Sequence, residues 1–294
     1  MSVHIELAPI LDPELITARA DEHERALLEY FAEQVDNDIQ ADLISELMGR
    51  YAIISRQLEE KNKALEKYNE RLEWMVQHKV QEISASQVAT IHALVKSAEA
   101  RDDDTGAHIE RTSMYCGLIA EKLQEAGIYQ DMVGGIYPET ISKASPLHDI
   151  GKVGIRDAIL LKPHRLTDDE FEIMKTHVII GYKTLASVEK MHPENLFVKI
   201  GREIARYHHE KWDGSGYMDG LAGENIPLSA RIMALSDVYD ALRSKRVYKE
   251  AYTHERAFNI IAEGRGKHFD PIVADIFLKH HFSFRDIFDR LSSE

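Results

Sequence analysis

The stretch Ser145–Ile155, SPLHDIGKVGI, sets His148 beside Asp149 and follows the pair with Gly151 and Lys152. Successive side chains on a helix point about a hundred degrees apart, so His148 and Asp149 cannot share one apolar face. Something polar must stand between them. An imidazole and a carboxylate are apt ligands for a divalent cation, and the carboxylate has a second oxygen with which to bridge to another ion. Alone, a His-Asp pair is a common accident of sequence, and its meaning depends on its neighbours.

Those neighbours repeat the chemistry. Upstream, DDDTGAHIER (Asp102–Arg111) puts His108 in a helix with Asp104 one turn before it, on a shared face. Downstream, MKTHVIIG supplies His177, RYHHEKWDG supplies His208 and His209, and ALSDVYDAL supplies Asp237. Donors of this kind among apolar residues are costly to bury without compensation, and a metal cluster provides it. The remaining histidines, such as His4, His23, His78, His164, His192, His280 and His281, read as incidental chemistry.

From about Ser97 onward, helical patterns follow one another through loops containing Gly, Pro and Asp, with no alternating strands and no fixed repeat. The fold class is therefore all-α. Three parts are expected: a helical N-terminal region (1–53), a long linker helix (54–95), and one helical domain carrying the histidines (96–294). The linker lacks Gly and Pro. Leu58, Leu65 and Leu72 recur every seven residues, with Tyr68 and Met75 at the second seam position. Lys61 and Lys79 interrupt the seam, and its phase changes near Val76, Val80 and Ile83. A parallel homodimer through this helix is the expectation.

Composition limits the partners. Acidic residues outnumber basic ones 50 to 36, for a formal charge of −14, a field that repels DNA, RNA and anionic membrane surfaces. Any phosphate-bearing substrate must then be held by local cations. No apolar run approaches the roughly 18 to 20 residues of a membrane span, and the first residues lack a signal-peptide pattern. The lone Cys116 permits no internal disulfide, so a cytoplasmic location is expected.

With these motifs in order, the chain resembles the HD-GYP family, a branch of the HD metal-dependent phosphohydrolases. The resemblance runs from about residue 90 to 280 and rests on EARDDDTGAH, HDIGK, MKTH, HHEKWDGSGY, SDVYDAL, RVYK and HFDP. It implies an HD-type helical bundle and metal ligation by His108, His148, Asp149, His177, His208, His209 and Asp237, with Asp149 as the bridge. Iron is the implied metal and manganese the alternative, in a cluster of two or three ions. Members with a third ion usually carry Glu where this chain has the shorter Asp104.

The implied reaction is hydrolysis of cyclic di-GMP to pGpG, and onward to GMP, in bacterial second-messenger signalling. Paired cations suit phosphodiester cleavage because they acidify the attacking water and neutralise the phosphoryl oxygens. Lys152 would point its ammonium at a phosphoryl oxygen or at the site water. In the loop, Gly214 and Gly216 would present Tyr217 for stacking on a base or hydrogen bonding to a phosphate. Arg246 and Lys249, three apart, form a cationic face for a second phosphate or a guanine edge.

One departure stands out: where the family reads Gly-Tyr-Pro, this chain has Gly216, Tyr217 and Met218. Losing proline frees a backbone dihedral next to the substrate. Two alternatives follow, a cyclic dinucleotide receptor that signals to other proteins without turnover, and a phosphodiesterase for a different cyclic dinucleotide.

Overall fold

The computed structural model describes residue 26 and residues 38–99, 107–245 and 250–292. Asp104, Arg246 and Lys249 lie outside the described residues. The chain is all-α, and among the described residues the only β-type pairing is an isolated bridge between Arg265 and Phe269. It divides into two compact units after Ser84.

In the first unit the described structure is helix α1 (Asp38–Glu99), which runs on into the second. Its start lies well before Ile54: the last part of the expected helical N-terminal region, with Leu43, Ile44 and Leu47, and the linker form one continuous helix. Ion pairs one turn apart, Arg50–Glu46 at 2.6 Å and Lys63–Glu59 at 2.5 Å, line its surface. Such exposed, solvent-screened pairs contribute little to stability. Leu58, Leu65, Tyr68 and Met75 are all exposed.

Among its described residues the second unit holds ten further helices, a long 3-10 segment and a short 3-10 turn (Gly223–Asn225). They are α2 (Ala107–Glu125), α3 (Gln130–Val133), α4 (Tyr137–Ala144), the 3-10 segment Ser145–Gly154, α5 (Asp157–Leu160) and α6 (Asp168–Lys175). There follow α7 (His177–Met191), α8 (Leu196–Tyr207), α9 (Leu228–Arg243), α10 (His254–Glu263) and α11 (Pro271–Leu291).

Sequence chemistry sets several boundaries. Thr167 and Glu170 form a reciprocal capping box at the start of α6. The Asp270 carboxylate accepts from the amides of Ile272 and Val273, and Pro271 fills the first turn of α11.

The main core lies where α2, α4, α8, α9, α10 and α11 meet. Helix α2 contributes Tyr115, Cys116, Ile119, Ala120 and Leu123, spaced three to four apart on one face, and α11 contributes Val273, Phe277 and Phe284. Helix α9 is buried on nearly every side, its apolar and small residues joined by the buried, paired Arg231 and Asp240. Each large apolar side chain so buried contributes about 1.5–3 kcal/mol.

A smaller cluster of Val95, Ile109, Leu147, Leu185 and Ala205 sits beside it. Ile109 and Leu147 are the chain neighbours of His108 and His148, so this cluster anchors the backbone that carries both imidazoles. The approach of the 3-10 segment to α7 depends on Gly151, where any Cβ would run into the carbonyl of His177 and the amide of Gly181.

Candidate metal centre

Five chain segments deliver the site. His108 lies in the first turn of α2, His148 and Asp149 in the 3-10 segment, and His177 at the first position of α7. His208 and His209 follow the end of α8, and Asp237 projects from α9. All seven come together in two groups. Asp149, His177, His208 and His209 offer ligand atoms within 4.8 Å of one another, and so do His108, His148 and Asp237.

Asp149 faces both ways. Its Oδ1 lies 3.2 Å from Nε2 of His177 and 3.9 Å from Nε2 of His208, while Oδ2 lies 3.3 Å from Nε2 of His148 and 2.8 Å from Nζ of Lys152. His108 Nε2 is 3.8 Å from Oδ1 of Asp237. The carboxylate at the centre of the seven donors thus has one oxygen toward each group.

The imidazole tautomers follow from the backbone. Nδ1 of His148 donates to the carbonyl of Ser145 at 2.9 Å, that of His177 to Met174 at 2.8 Å, and that of His208 to Ile204 at 2.9 Å. A carbonyl only accepts, so each Nδ1 carries the proton and each Nε2 keeps a lone pair. The Nε2 atoms of His177 and His208 are buried and take no hydrogen bond among the described residues. A lone pair facing a carboxylate oxygen at 3.2 Å is repulsive unless a cation stands between them. The donor set therefore fits divalent ions, with the ring orientation fixed as metal-ligating histidines require.

Electrostatics reinforce this. Burial raises the proton affinity of the Asp149 carboxyl, but Lys152 and His148 outweigh it and hold its pKa well below the usual range. Burial drives His208 well down, helped by His209 and His148. Burial likewise brings His209 to about 4 against the opposing pull of Asp237. Anionic carboxylate and neutral imidazoles are the ligand-competent forms at neutral pH.

Two further groups escaped the sequence reading. Nδ1 of His108 donates to Oδ2 of Asp240 at 2.8 Å, and Asp240 is gripped by Nε and Nη2 of Arg111 at 2.6 and 2.8 Å. This carboxylate gives His108 the orientation that backbone carbonyls give the others. The clue was present: Asp240 is one turn after Asp237, and Arg111 is one turn after His108.

Beside the site, the Tyr217 ring stacks on His209 with centroids 4.7 Å apart and planes at 29°. Burial first, then Asp149 and Asp237, pushes the Tyr217 hydroxyl pKa up, so it stays protonated and able to donate. Phe171 stands edge-on to Tyr217 at 6.1 Å, and Lys175 Nζ lies 5.6 Å from both ring centroids, two neighbours the motifs did not suggest.

Comparisons with known proteins agree with this chemistry. Residues 136–273 match the family model described as HD domain. A cyclic di-GMP phosphodiesterase of Vibrio cholerae is 51% identical over 197 residues, 67% of this chain and 40% of the relative. The cyclic di-GMP phosphodiesterase response regulator RpfG of Xanthomonas campestris is 40% identical over 237 residues, 81% of this chain and 59% of the relative. A 3'3'-cGAMP-specific phosphodiesterase 2 of Vibrio cholerae is 40% identical over 194 residues, 66% of this chain and 35% of the relative. The chain thus spans between 35% and 59% of the length of these three relatives.

Proposed function

Through residues 136–273 this chain belongs to the HD domain family, and from that premise we propose that it is a metal-dependent phosphodiesterase of HD-GYP type acting on cyclic di-GMP. The observation that carries the proposal is Asp149, with one oxygen toward His177 and His208 and the other toward His148. Asp149, His177, His208 and His209 would hold one ion, and His108, His148 and Asp237 the other, with iron first and manganese second in preference. Asp104 would serve a third. When bound, such ions lower the pKa of the attacking water and neutralise charge on the phosphoryl oxygens.

The side chains supply the remainder. Tyr217, protonated and beside the cluster, donates a hydrogen bond to a phosphoryl oxygen or offers its ring to a base. Lys152, next to Asp149, brings a positive charge to a phosphate that the acidic chain as a whole would repel. Arg246 and Lys249 take the second phosphate or a guanine edge. Water adds to phosphorus, its proton passes to the departing ribose oxygen, and the P–O3′ bond breaks, giving pGpG. A second cleavage gives GMP.

The relative named for 3'3'-cGAMP supports a hybrid cyclic dinucleotide as the second candidate substrate. A second copy of this chain is the proposed partner of α1, through the exposed seam of Leu58, Leu65, Tyr68 and Met75. Among the described residues no helix is long and apolar enough to cross a membrane.

The test is direct. Chain loaded with iron or manganese is mixed with cyclic di-GMP and, separately, with 3'3'-cGAMP, and the products are separated. Linear product from the first, abolished by Asp149→Ala, is expected, with two or three metal ions per chain by elemental analysis. Binding without product would replace the enzyme with a receptor, and product from the hybrid substrate alone would change the assignment of substrate.

A further inference from the structure

Glu210 follows His208 and His209 directly, yet no part of the chemistry above uses it. It is among the most buried charged residues, with 1% of its surface exposed. Its Oε1 accepts from the amide of Asp219 at 2.7 Å and from that of Gly220 at 3.1 Å. Its Oε2 is buried and takes no hydrogen bond among the described residues. Holding a carboxylate in the interior with one oxygen uncompensated is costly, and the charge-assisted bonds to two amides are what offset it.

The same residue is touched a second time by the loop it anchors. A Cβ at Gly216 would collide with the backbone of Glu210 and Lys211, so the chain can pass there only as glycine. Residues 211–220 therefore leave Glu210, return to its backbone at Gly216, and return to its carboxylate at Asp219 and Gly220. Only Tyr217 and Met218 lie between the two returns. The Tyr217 amide donates to the His209 carbonyl at 3.3 Å, and its ring stacks on the His209 imidazole.

We propose that Glu210 is a positioning residue: its carboxylate pins the loop just after Tyr217 and Met218, opposite the close backbone approach at Gly216, and thereby holds Tyr217 against His209, where it meets the substrate. The role deepens the function proposed above and rests on it for the substrate, while the geometry stands apart from it. Met218 leaves the loop without the stiffness a proline would give, so the carboxylate clamp supplies the fixity that the altered motif lacks.

Three variants of the full chain test this: Glu210→Ala, Glu210→Gln and Tyr217→Ala, with the Glu210→Ala/Tyr217→Ala double variant. Thermal melts and metal content check that each is folded and loaded. The first readout is amide hydrogen exchange at Tyr217, Asp219 and Gly220. Glu210→Ala should speed it at least tenfold, and Glu210→Gln, whose amide oxygen still accepts, should restore most of the protection. The second is kinetic. Glu210→Ala should raise KM for cyclic di-GMP about tenfold with a smaller change in kcat, and the double variant should be no worse than Tyr217→Ala alone, since both act through one side chain.

Unchanged exchange in Glu210→Ala, or additive KM effects in the double variant, would overturn the proposal. Should Glu210→Ala fail to fold, exchange and KM in Glu210→Gln decide: near-normal values support a hydrogen-bond acceptor role, and loss of both refutes it. Exchange needs no turnover, so a chain that hydrolyses no cyclic dinucleotide would remove the proposed reaction while the loop measurement still judged Glu210.

Discussion

At the scale of single residues, Asp240 is the side chain on which the candidate site leans most outside its donor set. It joins His108 to Arg111 in a buried triad, and burial is opposed by Arg111 and His108, which hold its carboxyl below the usual range. Asp240→Asn is expected to weaken metal binding about 10- to 100-fold by loosening His108. It should also cost about 3 kcal/mol of stability by breaking the buried Arg111–Asp240 ion pair. Metal titration and urea unfolding measure the two effects separately.

The histidines give a pH prediction. His209, with its pKa lowered from 6.5 to about 4, binds fewer protons folded than unfolded, so its contribution is present above about 6.5 and lost as pH falls toward 4. His208 acts in the same direction. The melting temperature of metal-free chain should therefore drop between pH 7 and pH 4.5, and a flat profile would contradict it. The clustered histidines and aspartates were legible in the sequence through their recurrence in short motifs, HDIGK, MKTH, HHEK and SDVYD. Asp240 and Arg111 were marked only by standing one turn from Asp237 and His108, since their own contact spans 129 positions, and Glu210, whose loop closes on its own root, left no local pattern.

At the scale of elements, the approach of the 3-10 segment to α7 decides whether the donors of the two can meet. Gly151 makes that approach possible. Gly151→Ala is expected to destabilise the chain by about 1–3 kcal/mol through overpacking, and to lower metal content because His148 and Asp149 are pushed away from His177. Thermal unfolding and elemental analysis of the same preparation check both. The helical class could be read from spacing alone, whereas the 3-10 form of residues 145–154 could not. It arises from the tight packing of this segment, which overrides a local pattern equally compatible with an α-helix. Helix on both sides of Ile54 was legible, but its continuity from Asp38 was not, since two helices and one long helix share the same spacing.

At the scale of the whole molecule, the long helix bears Leu58 and Leu65, both exposed among the described residues. Replacing both with Lys in this chain is expected to convert the proposed dimer into a monomer, read by sedimentation velocity, while metal content is retained. A wild-type chain that sediments as a monomer at micromolar concentration would remove the dimer proposal. The heptad was visible because it repeats.

The donors, by contrast, are scattered from His108 to Asp237 over helices that meet only once the chain has collapsed. A cation captured there ties five remote lengths of polypeptide together, and it can do so only in the native state. Scarcity of metal would then shorten the survival of the protein as well as slow the proposed hydrolysis, making its cellular abundance a record of how well supplied with ions the cell has been.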